Sequence, residues 1–320
     1  MIRTPAALAD NWPKKNAIVT KTNLGRVVFW MTGALLAFCT MAISIRGLAG
    51  RLNIFEILMI RNGTGVMVLV ALAAARPELR ATLALRRMGL HVFRNSVHYA
   101  AQYTWALSLT LLPLATVFAL EFTLPFWVAL LAMPVLGERM TVSRAGSIVL
   151  GFTGILIIVR PGMGVFQPEV LLVLACAVGF AVAIIASKQL TASVPTFAIL
   201  FWMNIMQLPM GLIGGDPRFV FSLDASQVPF IAGVAVAGLA SHFCLMQAFH
   251  SGDATIVVPF DFLRIPLIAL VGWLFYNEGL DLFVFAGAAL IIGGVLWNLR
   301  AESRRLPTGL RPEKATVADA

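Results

Sequence analysis

The stretch "ATVFALEFTLPFWVALLAMPVLGERMT" (residues 115–141) has an altered second copy in "ATIVVPFDFLRIPLIALVGWLFYNEGLD" (residues 254–281). Both stretches begin with Ala-Thr and place a carboxylate six or seven residues later, then a proline, and a glutamate near the end. The matched pairs are Glu121 and Asp261, Pro125 and Pro266, and Glu138 and Glu278. The chain therefore contains an internal repeat, and both copies are rich in apolar residues.

The composition of the chain is that of a membrane protein. Of its 320 residues, 59% are apolar and 12% are charged, and the mean hydropathy is +0.88. A soluble domain carries about 25% charged residues, so this chain cannot cover a water-facing surface. The net charge of +9 lies in the tails and a few loops rather than in one basic domain, which argues against nucleic acid as a partner. The lipid bilayer is the expected solvent.

Ten apolar runs are long enough to cross a bilayer as helices, which takes about 20 residues each. The repeated stretches fall in the fourth and ninth runs, so the repeat unit has five helices. Because five is odd, the two halves must have opposite orientations in the membrane. The predicted fold is an all-α membrane protein with ten transmembrane helices in two inverted five-helix repeats. The runs cover about residues 27–45, 54–75, 92–111, 114–136, 143–160, 168–187, 196–215, 228–249, 254–276 and 281–299.

The distribution of lysine and arginine predicts the orientation of these helices. Cytoplasmic loops carry an excess of both residues. With the N-terminus inside, 17 of them lie on the cytoplasmic side and 4 on the outer side, and the remaining 3 lie within helices. The sequence therefore predicts a multi-pass protein of the inner membrane, with cytoplasmic tails at residues 1–26 and 301–320.

Three motifs in order along the chain resemble a known family. They are the end of the fourth run, from Pro125 to Gly137-Glu138; "GFTGILIIVRPG" (151–162); and "PFDFLR" with "GWLFYNE" (259–278). Together they resemble the drug/metabolite transporter superfamily, EamA type, and within it a bacterial subgroup that includes transporters assigned to S-adenosylmethionine or riboflavin uptake. Asn277-Glu278 departs from the Gly-Glu that the family usually has. The resemblance implies a ten-helix carrier with a central cavity between two EamA-like repeats, 27–160 and 168–300.

The polar side chains within the apolar runs are expected to form two layers. Because a helix rises about 1.5 Å per residue, each can be placed in depth. An outer layer would hold Arg61 and Glu121, about 10 Å from the outer face. An inner layer would lie about 10 Å from the cytoplasmic face. The inner layer comprises His98, His242, Asp261 and Arg264, and Gln102, Asn204 and Gln207 lie near the middle. Charges at such depth usually face a wet cavity and mark a pathway.

The ninth run places Asp261 and Arg264 three residues apart, so they share one helix face. Pro259 and Pro266 flank them and remove backbone hydrogen bonds, which frees carbonyls that can bind solute or water. We expect this face to bind solute. The alternative is that the two charges only neutralise each other.

The third run carries a polar and aromatic stripe. Arg94, His98, Gln102 and Trp105 fall on one helical face, which suits a cavity lining. Trp105 is the tryptophan expected at the site. His98 could shuttle a proton, since its charge changes near neutral pH; ordinary interhelical hydrogen bonds are the alternative for His98 and His242. Arg94 is expected to reach the inner interface.

Structural roles are expected for two other kinds of residue. Glu138 and Glu278 are expected to accept hydrogen bonds at the start of the helix that follows each of them. Cys39, Cys176 and Cys244 lie in apolar runs without the spacing of a metal site or a disulfide framework, and are expected to be buried thiols.

The sequence favours a carrier over an enzyme. It has no phosphate-binding loop and none of the common metal or nucleophile motifs, so no cofactor is predicted. A cavity with both signs of charge and aromatic side chains favours an amphoteric or anionic metabolite, moved by alternating access. Proton coupling through Glu121 or Asp261 is a hypothesis. The alternatives are an efflux carrier, an intramembrane enzyme acting on a lipid-linked substrate, and a scaffold; the residues indicate no oligomeric state.

Overall fold

The computed structural model of the chain describes residues 23–136, 141–160, 167–191, 193–251, 257 and 260–305. Those residues form helices and turns and contain no strand, which confirms the all-α class. Glu138, Pro259 and most of both tails lie outside the described residues. The helices are α1 (Leu24–Leu48), α2 (Ile54–Ala75), α3 (Pro77–Arg80), α4 (Met88–Leu111), α5 (Leu114–Glu121), α6 (Leu124–Leu136), α7 (Val142–Val159), α8 (Val170–Thr191), α9 (Thr196–Met210), α10 (Val228–Ser251), α11 (Arg264–Tyr276) and α12 (Leu282–Arg305).

Eight stretches within the described residues are long and apolar enough to cross a membrane. They lie in α1, α2, α5 with α6, α7, α8, α9, α10 and α12. Two predicted runs, 92–111 and 254–276, are not among them. The first coincides with α4, whose histidines, asparagine, glutamine and arginine lower its hydropathy; the second contains α11, which has 13 residues. The chain is a multi-pass membrane protein, and the count of ten spans stays a prediction.

Both repeated stretches contain a helix break at the same place. α5 ends at Glu121 and α6 begins at Leu124; in the other copy residues 260–261 are helical and α11 begins at Arg264. A proline lies in the first turn of each second helix, Pro125 in α6 and Pro266 in α11. A proline ring clashes with the carbonyl four residues earlier, so the preceding helix cannot continue through it. As a result, a carboxylate is the last helical residue before each break.

Local sequence also explains several helix ends. Asn53 and Glu56 form a capping box, in which each side chain accepts from the other's backbone N–H, at the start of α2. Asn277 ends α11 in the left-handed region with φ of 53°. Asparagine tolerates that conformation better than other side chains, so it can replace the glycine that is usual there.

The helices of the two halves are interleaved. α1 packs against α10, and α4 packs against α8; α2 contacts both α9 and α10, and α4 also contacts α9. The broken helices meet where α5 packs against α11. Most of the extensive contacts therefore join one half of the chain to the other.

Small residues permit a close contact between α7 and α12. A Cβ atom on Gly154 would lie 2.6 Å from the carbonyl oxygen of Gly287, and a Cβ on Gly287 would lie 2.6 Å from the carbonyl oxygen of Gly154. No real side chain tolerates that distance, so the two helices touch backbone to backbone. Cys39 and Cys176 are buried as expected, but Cys244 is partly exposed; all three thiols are free.

Candidate functional site

The two helix breaks bring three charged side chains together. The guanidinium of Arg264 donates to both carboxylate oxygens of Asp261, at 2.5 and 2.7 Å. Its other terminal nitrogen lies 3.5 Å from Oε1 of Glu121. We call Glu121, Asp261 and Arg264 the central ion group. Asp261 and Arg264 pair with each other, as the neutralising alternative describes, and solute binding by this face stays a prediction. One arginine contacts both copies of the repeat.

This arrangement corrects the expected separation into two polar layers. The sequence places Glu121 in the outer layer and Arg264 in the inner layer, yet the two are in contact. Counting residues along a helix locates its backbone, but an arginine side chain extends several ångströms from its Cα. Arg264 also begins a new helix after the break.

Aromatic rings surround the guanidinium of Arg264. Its central carbon lies 3.8 Å from the centroid of the Phe38 ring, 5.3 Å from that of Phe122 and 5.8 Å from that of Phe118. Phe122 in turn packs edge-to-face on Phe262, with the centroids 5.0 Å apart. The electron-rich faces of aromatic rings attract cations. The rings therefore stabilise a positive charge between the two carboxylates.

The stripe predicted on α4 reaches this group. Nε1 of Trp105 donates to Oε2 of Glu121 at 2.8 Å, and the ring packs edge-to-face on Phe118. Gln102 lies one turn before Trp105 and is buried, and its Oε1 has no hydrogen-bond partner among the described residues. The structure thus places Trp105 at the central ion group and leaves an unused acceptor beside it.

The central ion group is buried but not sealed. The side chain of Arg264 is 6% exposed, whereas those of Glu121 and Asp261 keep 18% and 19% exposure. The side chains of Glu121 and Asp261 are therefore partly accessible, while the arginine is held inside. In the part of the chain that the structure describes, no set of three or more metal-ligating side chains comes together.

A second set of polar side chains lies where α2, α4 and α9 meet. Nε2 of Gln207 donates to the backbone carbonyl of Asn95 at 3.1 Å and lies 3.0 Å from Nδ1 of His98. Asn204 donates to the carbonyl of Leu200 at 2.9 Å and packs on Gly65 of α2. We call Asn95, His98, Asn204 and Gln207 the polar cluster. The contact between His98 and Gln207 agrees with the alternative that His98 makes an ordinary interhelical hydrogen bond.

Three buried polar residues of this region, Asn62, Asn95 and Tyr99, were missed by the sequence analysis. The amide nitrogen of Asn62 and the hydroxyl of Tyr99 are buried without a hydrogen-bond partner among the described residues, and Asn95 joins the polar cluster. Oε1 of Gln207 is unpartnered in the same way, although Gln207 itself was predicted. Buried polar groups are normally satisfied, so these atoms point to bound water or solute. A polar residue within an apolar helix was the signal that could have indicated Asn62 and Asn95.

Three predicted residues remain: Arg61, His242 and Arg94. Arg61 is half-buried and packs along Gly238 of α10. His242 also lies on α10, but its side chain is outside the described part of the structure. The expectation for Arg94 is wrong: it does not extend to the interface but is buried, and its Nε donates to Oγ of Ser187 at 3.0 Å. Its hydrogen bonds to Ser187 and Asn95 hold it on the bundle side instead.

The role expected for Glu278 is also corrected. Its Oε2 accepts from the backbone N–H of Leu114 at 2.9 Å, so it binds the start of α5 rather than the start of the following helix, α12. Asp281 takes the role at α12, where it accepts from the N–H of Phe283 at 2.9 Å. Oε1 of Glu278 forms an ion pair with Arg46 of α1. Glu278 is structural, as expected, but it joins elements from both halves of the chain.

Comparison with known proteins gives the family. A family model described as "EamA-like transporter family" matches the chain twice, over residues 25–160 and 167–300. A riboflavin transporter of Rhizobium johnstonii is 30% identical over 234 residues, which is 69% of this chain and 76% of the relative. An S-adenosylmethionine uptake transporter of Rickettsia prowazekii is 23% identical over 87% of this chain and 94% of its own.

Export is represented among the relatives as well. A pseudopaline exporter of Pseudomonas aeruginosa is 27% identical over 82% of this chain and 93% of its own length. A solved structure described only as "Crystal structure of protein" superposes with a TM-score of 0.58 at 19% identity, over 88% of this chain and 99% of that one. At that identity the solved structure supports the fold alone.

Proposed function

Because the chain belongs to the EamA-like transporter family, we propose that it is a secondary carrier that moves a small organic metabolite across the membrane by alternating access. The observation that carries this proposal is the central ion group, which lies where the two broken helices meet. Charges within a membrane mark transport pathways, and discontinuous helices are typical binding sites of secondary transporters. The named relatives move small metabolites, and this family relationship argues against the enzyme alternative.

We propose ten transmembrane helices in two inverted repeats, residues 27–160 and 168–300. The family model matches twice at nearly these bounds, which supports the repeat. So do the equivalent breaks after Glu121 and Asp261. In this scheme the contact between α1 and α10 is equivalent to the contact between α8 and α4. The contact between α2 and α10 is equivalent to the contact between α9 and α4. All four contacts are present. The twofold axis would pass through three contacts between equivalent helices: α7 with α12, α2 with α9, and α5 with α11.

The orientation follows from the charge of the loops. Both tails are proposed to be cytoplasmic, because most of the lysine and arginine residues then lie inside. The bacterial relatives favour the inner membrane. In this orientation the Arg46–Glu278 pair closes the outer ends of α1, α4, α5 and α11.

The solute-binding residues proposed are those of the central ion group with Trp105 and Gln102, extended by the polar cluster. The arginine and the two carboxylates offer both signs of charge, and Phe38, Phe118 and Phe122 offer apolar walls. Such a site suits an amphoteric solute with an aromatic or planar part. Arg61 and His242 are proposed to line the pathway on α2 and α10 rather than to join this contact.

Proton coupling is proposed through Glu121 or Asp261. The described residues bring one basic side chain to two acidic ones, so the group can take up one positive charge. A proton is the smallest cation that satisfies this condition, and its uptake by a carboxylate would link transport to a pH gradient.

The test is transport by the purified protein. A metabolite panel is first screened by thermal shift, since a bound solute stabilises the folded state by mass action. Stabilising metabolites are then measured in proteoliposomes with and without a pH gradient. The carrier proposal expects uptake above that of empty liposomes, and the proton proposal expects the rate to change with the gradient. Absence of any uptake contradicts the carrier; equal rates contradict the coupling alone.

Export is a second candidate direction. The relative named as a pseudopaline exporter matches over 82% of this chain, so the same fold is used in that direction by a relative. Inside-out membrane vesicles distinguish the two directions, because an exporter accumulates its solute in them and an importer releases it.

A further inference from the structure

The charges of the central ion group do not balance. Glu121 and Asp261 contribute two negative charges, and Arg264 is the one basic side chain that the described residues bring into contact with either of them. With all three ionised, one negative charge is in excess within the apolar part of the bundle. An uncompensated charge at this depth is strongly unfavourable. The group therefore favours a further positive charge at this place.

The two carboxylates differ in how fully Arg264 satisfies them as hydrogen-bond acceptors. Asp261 uses both oxygens to accept from Arg264 at hydrogen-bond distance. Oε1 of Glu121 lies 3.5 Å from the guanidinium, which is too long for a good hydrogen bond, while its Oε2 accepts from Trp105. Oε1 of Glu121 is thus the acceptor that remains available, and the side chain keeps 18% exposure.

The environment of Arg264 indicates which kind of chemical group can bind beside Glu121. Its planar cation lies against Phe38, Phe118 and Phe122 and beside the carboxylate. An ammonium, guanidinium or sulfonium group of a solute that displaces the guanidinium nitrogen from Glu121 would meet the same carboxylate and the rings of Phe118 and Phe122. Asp261 can remain hydrogen-bonded to Arg264 through both of its oxygens while Glu121 binds the cationic group of the solute.

We propose that Glu121, with Trp105, Phe118 and Phe122, is a subsite for a positively charged group of the transported solute. The proposal rests on the proposed carrier function and narrows its substrate class. Solutes with a cationic group next to an aromatic or apolar part are preferred over neutral or purely anionic analogues. When such a group binds, it replaces Arg264 at Glu121, Arg264 stays on Asp261, and the charges of the site become balanced.

Two pairs of probes that differ by one positive charge test this subsite. S-Adenosylmethionine carries a sulfonium charge that S-adenosylhomocysteine lacks, and tryptamine carries an ammonium where tryptophol has a hydroxyl. The thermal stability of the purified full-length protein is measured against concentration of each probe. We expect at least one cation to stabilise the protein at a concentration at least tenfold lower than its counterpart with one positive charge fewer. Equal stabilisation within both pairs, or none by either cation, overturns the proposal without any variant.

Variants then test whether Glu121 is the source of the preference for cationic probes. Glu121→Gln keeps the size of the side chain and removes its charge, so the tenfold preference is expected to vanish. Glu121→Asp is expected to keep it, and Asp224→Asn, which removes an exposed loop carboxylate, serves as the matched control. A preference that persists in Glu121→Gln overturns the assignment. Transport of a neutral metabolite that does not depend on Glu121 would refute the subsite and leave the carrier function standing.

Discussion

Arg46 and Glu278, which are 232 residues apart in the sequence, form a partly buried ion pair that joins four helices. Arg46 extends from α1, and its guanidinium also donates to the carbonyls of Leu109 and Leu112 at the end of α4. Glu278 follows α11 and accepts from the first N–H of α5. The guanidinium lies 4.8 Å from the centroid of the Tyr276 ring. The pair thus links α1, α4, α5 and α11 at one end of the bundle.

Removal of either partner should destabilise the protein. Arg46→Ala leaves two carbonyls and a carboxylate without their donor, and hydrogen bonds to charged groups contribute about 1.5–3 kcal/mol each. We expect a loss of about 2–4 kcal/mol, seen as a lower unfolding temperature in detergent. Arg51→Ala is the control, because its pair with Asp224 is 59% and 46% exposed and should contribute less than about 1 kcal/mol. Equal effects of the two variants would contradict the structural role of Arg46.

The central ion group should be required for transport. Arg264→Ala leaves two carboxylates close together without a cation, and Asp261→Asn removes the partner that holds Arg264. We expect uptake of a metabolite found by the thermal-shift screen to fall to the level of empty liposomes in both variants. Size-exclusion chromatography should still show a monodisperse protein in detergent for Asp261→Asn, and the exposed Arg218→Ala should transport normally. Normal uptake by both site variants would return the pair to the structural alternative.

Trp105 should position Glu121 for the solute. Trp105→Phe removes the 2.8 Å hydrogen bond to Glu121 and keeps most of the ring. A hydrogen bond to a charged group contributes about 1.5–3 kcal/mol, so we expect solute affinity to fall by about tenfold or more. The matched control is Trp273→Phe, because Trp273 is 53% exposed on α11. A titration of thermal stability with solute measures both, and unchanged affinity in Trp105→Phe would contradict this role.

The contact between α7 and α12 should not tolerate a side chain. Gly154→Ala places a methyl group 2.6 Å from the carbonyl oxygen of Gly287, so the helices must separate. We expect a loss of about 1–3 kcal/mol, measured by thermal unfolding in detergent. Gly293→Ala on α12 is the control, because nothing lies within 4 Å of its Cβ position, and it should be neutral or slightly stabilising. A stable Gly154→Ala protein would show that the two helices are not in backbone contact.

The two glutamates that end the repeated stretches should lie on opposite sides of the membrane. A variant without Cys39, Cys176 and Cys244 provides the background for single cysteines at Arg139→Cys and Gly279→Cys. A membrane-impermeant maleimide applied to intact cells should label the cysteine at 279, and the cysteine at 139 only after permeabilisation. Labelling of both from one side would refute the inverted repeat, whatever the solute.

The sequence by itself determined the fold class and the elements of the site. Apolar runs indicated membrane helices because the bilayer excludes exposed backbone, and Pro125 and Pro266 indicated where two helices break. The repeat and the spacing of Asp261 from Arg264 are local properties of one segment, so they could be read directly. The polar face of α4, with Gln102 and Trp105, was predictable for the same reason.

Only the tertiary structure decided which of these residues meet. That Arg264 reaches Glu121, that Glu278 binds the start of α5, and that Arg94 turns inward to Ser187 all depend on contacts between helices far apart in the chain. Such contacts are set by the rotation and axial position of each helix, which result from packing along its whole length. A long side chain can also bridge several ångströms in either direction, so spacing along the sequence does not determine its partner.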